Sequence, residues 1–239
     1  MFASFIFLGV GVILLTLFLV DKCKKYSVRE TAIKSFTSVC FIGVALCNYY
    51  LAIKNGEINT FGIFIIIGLL FGLLGDIWLD FKYVFKEQNI VFTKLGFLVF
   101  GIGHIFYIIG MIVNFYNGEN ILYLILPFVI TAICTFCVIL LEKPMKVNYG
   151  NLKSIVLVYS FLLFLMLSFG LSFTIMNDFR NWTLNLMAIG GVLFVASDLI
   201  LSGTYFGVGK ERPVDMVVNS VLYYAAQFVI AFSILMLFV

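Results

Sequence analysis

The stretch FGLLGDIWLD, residues 71–80, closes a run in which positions 61–79 hold a single charge, Asp76. About 20 apolar residues cross a bilayer as a helix, and this run is long enough to do so. A carboxylate at the bilayer centre costs about 2.5–3.5 kcal/mol on insertion scales, and such residues usually face a bundle interior and serve a function. Asp76 therefore calls for a partner within the protein. A second stretch, FVASDLIL at 194–201, has the same pattern: Gly75-Asp76-x-x-Leu79 beside Ser197-Asp198-x-x-Leu201.

Working outward from residue 71, seven further runs share this character. Eight segments qualify as spans: 2–20, 35–53, 60–80, 93–114, 121–141, 154–175, 183–203 and 215–238. The chain is 63% hydrophobic and 11% charged, far below the ~25% charged residues of a soluble domain. The expected fold is an all-α polytopic membrane protein with eight transmembrane helices. A barrel is excluded, because the runs are apolar all round instead of alternating. The whole chain, 1–239, is expected to be one transmembrane domain.

Charge sets the expected orientation, because Lys and Arg concentrate in short cytoplasmic loops. Lys22, Lys24, Lys25, Arg29 and Lys34 follow the first run, and Lys82, Lys86 and Lys94 follow the third. Lys143, Lys146 and Lys153 follow the fifth, and Lys210 and Arg212 follow the seventh. Only Lys54 and Arg180 fall on the other face. Both termini are thus expected on the non-cytoplasmic side. The first run has no basic residues before it and is longer than a signal-peptide core, so it is read as an uncleaved helix. The net charge of +3 reflects the loops and gives no ground for nucleic-acid binding.

The two halves of the chain align. Val20-Asp21-Lys22 matches Leu141-Glu142-Lys143, and Lys34-Ser35-Phe36 matches Lys153-Ser154-Ile155. His104 follows Asp76 at nearly the spacing at which Gln227 follows Asp198. This order predicts a parallel 4+4 repeat about an axis along the membrane normal, with Asp76 and Asp198 facing one central cavity. Gly68, Gly72, Gly75, Gly101, Gly103, Gly190 and Gly191 nominate the third, fourth and seventh helices as a tight inner group, since small residues allow close approach.

The candidate chemistry rests on few residues. Asp76 and Asp198 lie at matching depths, roughly 6–8 Å inside the same helix ends at 1.5 Å per residue. His104, the one histidine, lies about ten residues deep and is a candidate proton shuttle. Asp80 is read as interfacial. Tyr223, Tyr224 and Gln227 in the eighth run, Tyr159 in the sixth and Asn48 in the second could orient a substrate or simply join helices. Lys34, Lys153 and Arg212 at cytoplasmic ends fit topology, anionic lipid or a phosphate headgroup. Five cysteines give no disulfide framework. Cys134-x-x-Cys137 reads as packing, Cys23 lies in a loop, and no metal or cofactor is expected. From these residues alone a proton-coupled small-molecule or lipid transporter using the Asp pair and a membrane enzyme both remain open, with a non-catalytic receptor or scaffold behind them.

As a set, GLLGDIWL (72–79), GFLVFGIGHIFYI (96–108), GGVLFVASDLIL (190–201) and YYAAQFVIAFS (223–233) resemble the lysoplasmalogenase family of YhhN-like membrane proteins. The resemblance covers about residues 5–237. One departure is Lys34-Ser35, where the family often has Lys-Pro. The resemblance implies a hydrolase that cleaves the vinyl-ether bond of lysoplasmalogens to a fatty aldehyde and glycerophosphoethanolamine or glycerophosphocholine. It implies catalytic roles for Asp76 and Asp198, and the chemistry of vinyl-ether cleavage, where one carboxylic acid and one carboxylate suffice, would have His104 orient or reprotonate the pair. Tyr223, Tyr224, Gln227, Tyr159, Lys34 and Asp80 would contact substrate. The implied partners are a lysophospholipid and the bilayer, with no protein partner, in a multi-pass protein of the cell membrane if bacterial.

Overall fold

The computed structural model describes residues 1–22, 28–57, 60–118, 120–207 and 212–238, with the side chain of Lys22 left aside. Of the residues that the sequence singles out, Cys23, Lys24, Lys25 and Lys210 lie outside the described residues.

Eight helices among the described residues are long and apolar enough to span a membrane. They are α1 (Phe2–Lys22), α2 (Val28–Lys54), α3 (Thr60–Val84), α4 (Asn89–Phe115), α5 (Leu122–Leu141), α6 (Lys153–Met176), α7 (Trp182–Phe206) and α8 (Pro213–Ser233). Helix is the form these runs must take, because hydrocarbon offers no partner for an unpaired backbone group. Pro213 opens α8, at a position where a missing N–H costs nothing. Asn181 caps α7, its side-chain oxygen accepting from Leu184 N at 3.2 Å.

Two boundaries differ from expectation in ways that matter. Helix α2 starts at Val28 instead of 35. Ser35, standing where the family often has proline, is an interior helical residue whose hydroxyl donates to Thr31 O at 2.8 Å. Helix α3 runs on to Val84, so Asp80 lies inside it and not at its end.

Six helices form a closed ring in the order α2–α3–α4–α6–α7–α8, with α8 returning to α2. Helix α1 packs on the outside of α2, and α5 on the outside of α6. The expected grouping of the third, fourth and seventh helices is corrected by this order. Helix α7 packs against α6 and α8, across the ring from α3 and α4. The α3–α4 pair is nonetheless close. A side chain at Gly75 would strike the Phe100 ring at 2.6 Å, and one at Gly96 would strike Leu79. These contacts fix the antiparallel register of α3 on α4.

Candidate functional site

All six ring helices contribute to one small chamber. Its lining includes Lys34 from α2, Asp76 and Asp80 from α3, Phe97 and Phe100 from α4, Tyr159 from α6, Asp198 from α7, and Tyr223 and Tyr224 from α8. The enclosed volume is about 50 Å³, room for a few waters.

Asp76 is 3% exposed and is held from three sides. Ser38 Oγ donates to its Oδ2 at 2.6 Å, and the Tyr223 hydroxyl donates to the same oxygen at 2.8 Å. The Lys34 ammonium lies 3.3 Å from Oδ1. The same ammonium lies 2.7 Å from Asp80 Oδ1. Asp76 and Asp80 are four apart, hence on one helix face, so a single cation spans both carboxylates. With all three groups ionised the trio keeps one net negative charge. Lys34, which the sequence offers for topology, anionic lipid or a phosphate headgroup, is here buried between these two carboxylates.

Asp198 is held differently. Its Oδ2 accepts a hydrogen bond from the Tyr159 hydroxyl. Its neighbour Ser197 ties α7 to α8: Asn219 Nδ2 donates to Ser197 O at 2.8 Å and to its Oγ at 2.9 Å. The two aspartates thus share a chamber while each keeps its own partners.

A relay leads away from Asp76 into the bundle. The Tyr107 hydroxyl donates to Gln227 Oε1 at 3.2 Å, and Gln227 Nε2 donates to the Tyr223 hydroxyl at 3.0 Å. All donors point toward the carboxylate. Gly72 makes room for this chain, since a Cβ there would lie 2.7 Å from Gln227 Nε2. Gln227 is therefore a support behind Tyr223 and is not part of the chamber lining. Tyr224 donates to Lys34 O at 3.1 Å and lies 3.2 Å from Ser38 Oγ.

His104 stands apart from the chamber lining. It is 1% exposed, with its ring 4.9 Å from Phe194 and 5.7 Å from Tyr159 between centroids. Neither ring nitrogen has a hydrogen-bond partner among the described residues. The cause is depth. The α3–α4 register sets Gly103 against Gly68 and Phe71, so its neighbour His104 lies about five residues, or roughly 7 Å, deeper than Asp76. The expected contact with the aspartate pair is not made.

Asn48 is a joint between helices. It accepts from Ser4 Oγ at 2.6 Å and donates to Ala231 O at 3.2 Å. Sequence reasoning passes over Ser38, though it lies four residues after Lys34 and so shares its face. Asn219 and Tyr107 leave no signal in the sequence, because their partners lie on other helices.

These features define a polytopic helical membrane protein with a carboxylate-lined chamber enclosed by six helices. The YhhN family model matches residues 29–234, and the chain belongs to that family. Among curated proteins and solved structures nothing matches the chain.

Proposed function

We propose that the protein is a membrane-embedded hydrolase that cleaves the vinyl-ether bond of lysoplasmalogens. The observation that carries this is the contrast between two carboxylates lining one chamber. Asp76 accepts from two hydroxyl donors and lies against the Lys34 ammonium, the one cation against either aspartate among the described residues. Asp198 has one hydroxyl donor among the described residues, on Oδ2, which leaves Oδ1 able to carry a proton. A carboxylic acid beside a carboxylate is what cleavage through an oxocarbenium ion needs.

In this reading Asp198 gives its proton to the vinyl carbon remote from the ether oxygen. The double-bond electrons form the new C–H bond, and the ether carbon becomes an oxocarbenium ion. The net negative trio of Asp76, Lys34 and Asp80 stabilises that cation. Water adds to the cationic carbon and loses a proton to the carboxylate pair, giving a hemiacetal. The hemiacetal C–O bond to glycerol then breaks, with a proton passing to the departing oxygen. The sum is one vinyl ether plus one water, giving one aldehyde and one alcohol. Tyr159 orients Asp198, and Tyr223 and Ser38 fix Asp76.

The 4+4 repeat belongs to the same reading. What supports it is the packing order: α1 lies on α2 as α5 lies on α6, and α4 meets α6 as α8 meets α2. We place the chamber end of the ring at the cytoplasmic face and both termini opposite, with the chain as a single domain.

The test is aldehyde release by purified protein from an alkenyl lysophosphatidylethanolamine, beside its acyl analogue. Aldehyde from the alkenyl lipid only, lost in Asp76→Asn and Asp198→Asn, is expected. Absence of turnover in well-folded protein, with pH-dependent flux in liposomes, would favour a proton-coupled carrier instead.

A further inference from the structure

The reacting bond of an alkenyl lysolipid continues directly into a long hydrocarbon chain, and the chamber has no room for one. It encloses about 50 Å³. A chain whose first carbons meet Asp198 must therefore leave the chamber beside that residue. Asp198 is half-buried, whereas Asp76 is fully buried.

A second pocket, about 60 Å³, meets the chamber at Asp198 and shares Phe97, Tyr159 and Leu201 with it as well. Its further walls include Leu163 and Phe164 from α6, Val195 and Leu199 from α7, and Val138 from α5. Among the described residues Asp198 is the one charged group in this lining, whereas the chamber also carries Lys34, Asp76 and Asp80. Tyr159 spends its hydroxyl on Asp198, and the Tyr149 hydroxyl lies 3.2 Å from Ser202 Oγ. The lining thus changes across Asp198, from charged on the chamber side to mainly apolar on the other.

This second pocket is a groove between α6 and α7 that faces the outside of the ring. Val138 belongs to α5, which packs outside α6, and Leu199 at the lip is 49% exposed. Deeper in the bundle the two helices close on each other. A Cβ on Gly191 would lie 3.2 Å from Leu167 Cα, and one on Gly170 would lie 3.2 Å from Ala188 Cα. Small residues permit that approach. Gly191 is seven residues from Asp198, so the groove ends about 10 Å beyond the carboxylate. Tyr159 is the partition between groove and chamber, its ring held 5.1 Å from that of Phe97.

We propose that this groove holds the first carbons of the substrate's alkenyl chain, with the vinyl ether against Asp198 and the rest of the chain passing between α6 and α7 into the bilayer. The proposal rests on the hydrolase reading for the identity of the lipid. The occupant follows from the order of the lining. A lysolipid is polar on one side of its ether and hydrocarbon on the other, and the walls change in the same sense across Asp198. Groove and lipid tails are similarly apolar, so moving a chain from one to the other gains little affinity. What the groove supplies is position, and a misplacement of about 1 Å at a reacting centre costs on the order of 10²-fold in rate. It therefore reads bulk close to the ether oxygen and not the length of chain beyond Leu167.

The test uses a lipid that cannot be cleaved, so its outcome is independent of hydrolysis. 1-Alkyl lysophosphatidylethanolamine carries a diazirine on its chain, either close to the ether oxygen or at the far end. Each probe is photolysed with the full chain in nanodiscs, and labelled residues are located by peptide mass spectrometry. The near probe should label residues 159–164 of α6 and 195–201 of α7, and excess unlabelled alkyl lysolipid should remove that label. The far probe should leave both segments unlabelled. Val195→Trp, which fills the groove, and Leu199→Trp at its lip should each lose most of the near-probe label. Ile133→Trp, on the exposed side of α5, should keep it, and melting curves establish that each variant is folded. Near-probe label spread over the outer helices of the wild type would overturn the proposal. So would groove label displaced equally well by a diacyl phospholipid, which would assign the groove to bulk lipid. Aldehyde release without groove label would overturn this inference and leave the hydrolase reading standing, whereas competed groove label without aldehyde release would support the groove and sink that reading.

Discussion

At the scale of single residues, the chamber separates groups that touch it from groups that only lie near it. His104 is the clearest case. Its nitrogens are unpartnered among the described residues, in an aromatic surround, and an unsatisfied buried polar group costs about 1–3 kcal/mol. Replacement by phenylalanine should keep activity within about threefold and leave thermal stability equal or higher. Steady-state kinetics and a melting curve check both, and a loss of kcat without loss of fold would return His104 to the chemistry. The sequence holds the clue, since His104 lies about ten residues deep where the aspartates lie four or five. Lys34 shows the reverse problem. The positive-inside pattern accounts for any lysine near a cytoplasmic helix end, so nothing in the sequence marks this one as buried between Asp76 and Asp80. Changing Lys34 to Gln should strand two carboxylates and cost about 3–5 kcal/mol, along with activity. Adding Asp80→Asn should restore part of the stability, measured as a double-mutant cycle in detergent.

At the scale of elements, hydropathy suffices to find all eight helices, because backbone in lipid has one local solution. It does not find where helices begin and end, as the early start of α2 and the late end of α3 show. Nor can it find contacts between helices. Helix α5 illustrates what packing adds. Pro127 has no N–H to offer the carbonyl four residues earlier, that of Tyr123. Ser172 on α6 supplies the donor instead, its Oγ lying 3.0 Å from Tyr123 O. The Ser172→Ala protein should lose about 1 kcal/mol of stability, read by unfolding in mixed micelles, with little change in catalysis. No loss would mean that the freed carbonyl is satisfied in another way. The two cysteines of Cys134-x-x-Cys137 lie on this same outer helix as free thiols, away from the chamber.

At the scale of the whole molecule, the ring explains why two aspartates 122 positions apart in the chain line one space. Each sits near the same end of a ring helix, and the six helices close around them. The doubled Gly-Asp and Ser-Asp pattern makes that convergence legible in the sequence. The groove beside the chamber is not legible there, since its lining is assembled from α4, α5, α6 and α7. The central claim is that Asp198 delivers a proton to carbon. The measurement that tests it most directly is turnover of an alkenyl lysophospholipid in D₂O, with the aldehyde trapped at once by reduction. The account predicts one deuterium on the carbon next to the former aldehyde carbon, and no product from Asp198→Asn protein. Product without that deuterium, or an Asp198→Asn protein working at the wild-type rate, would contradict it.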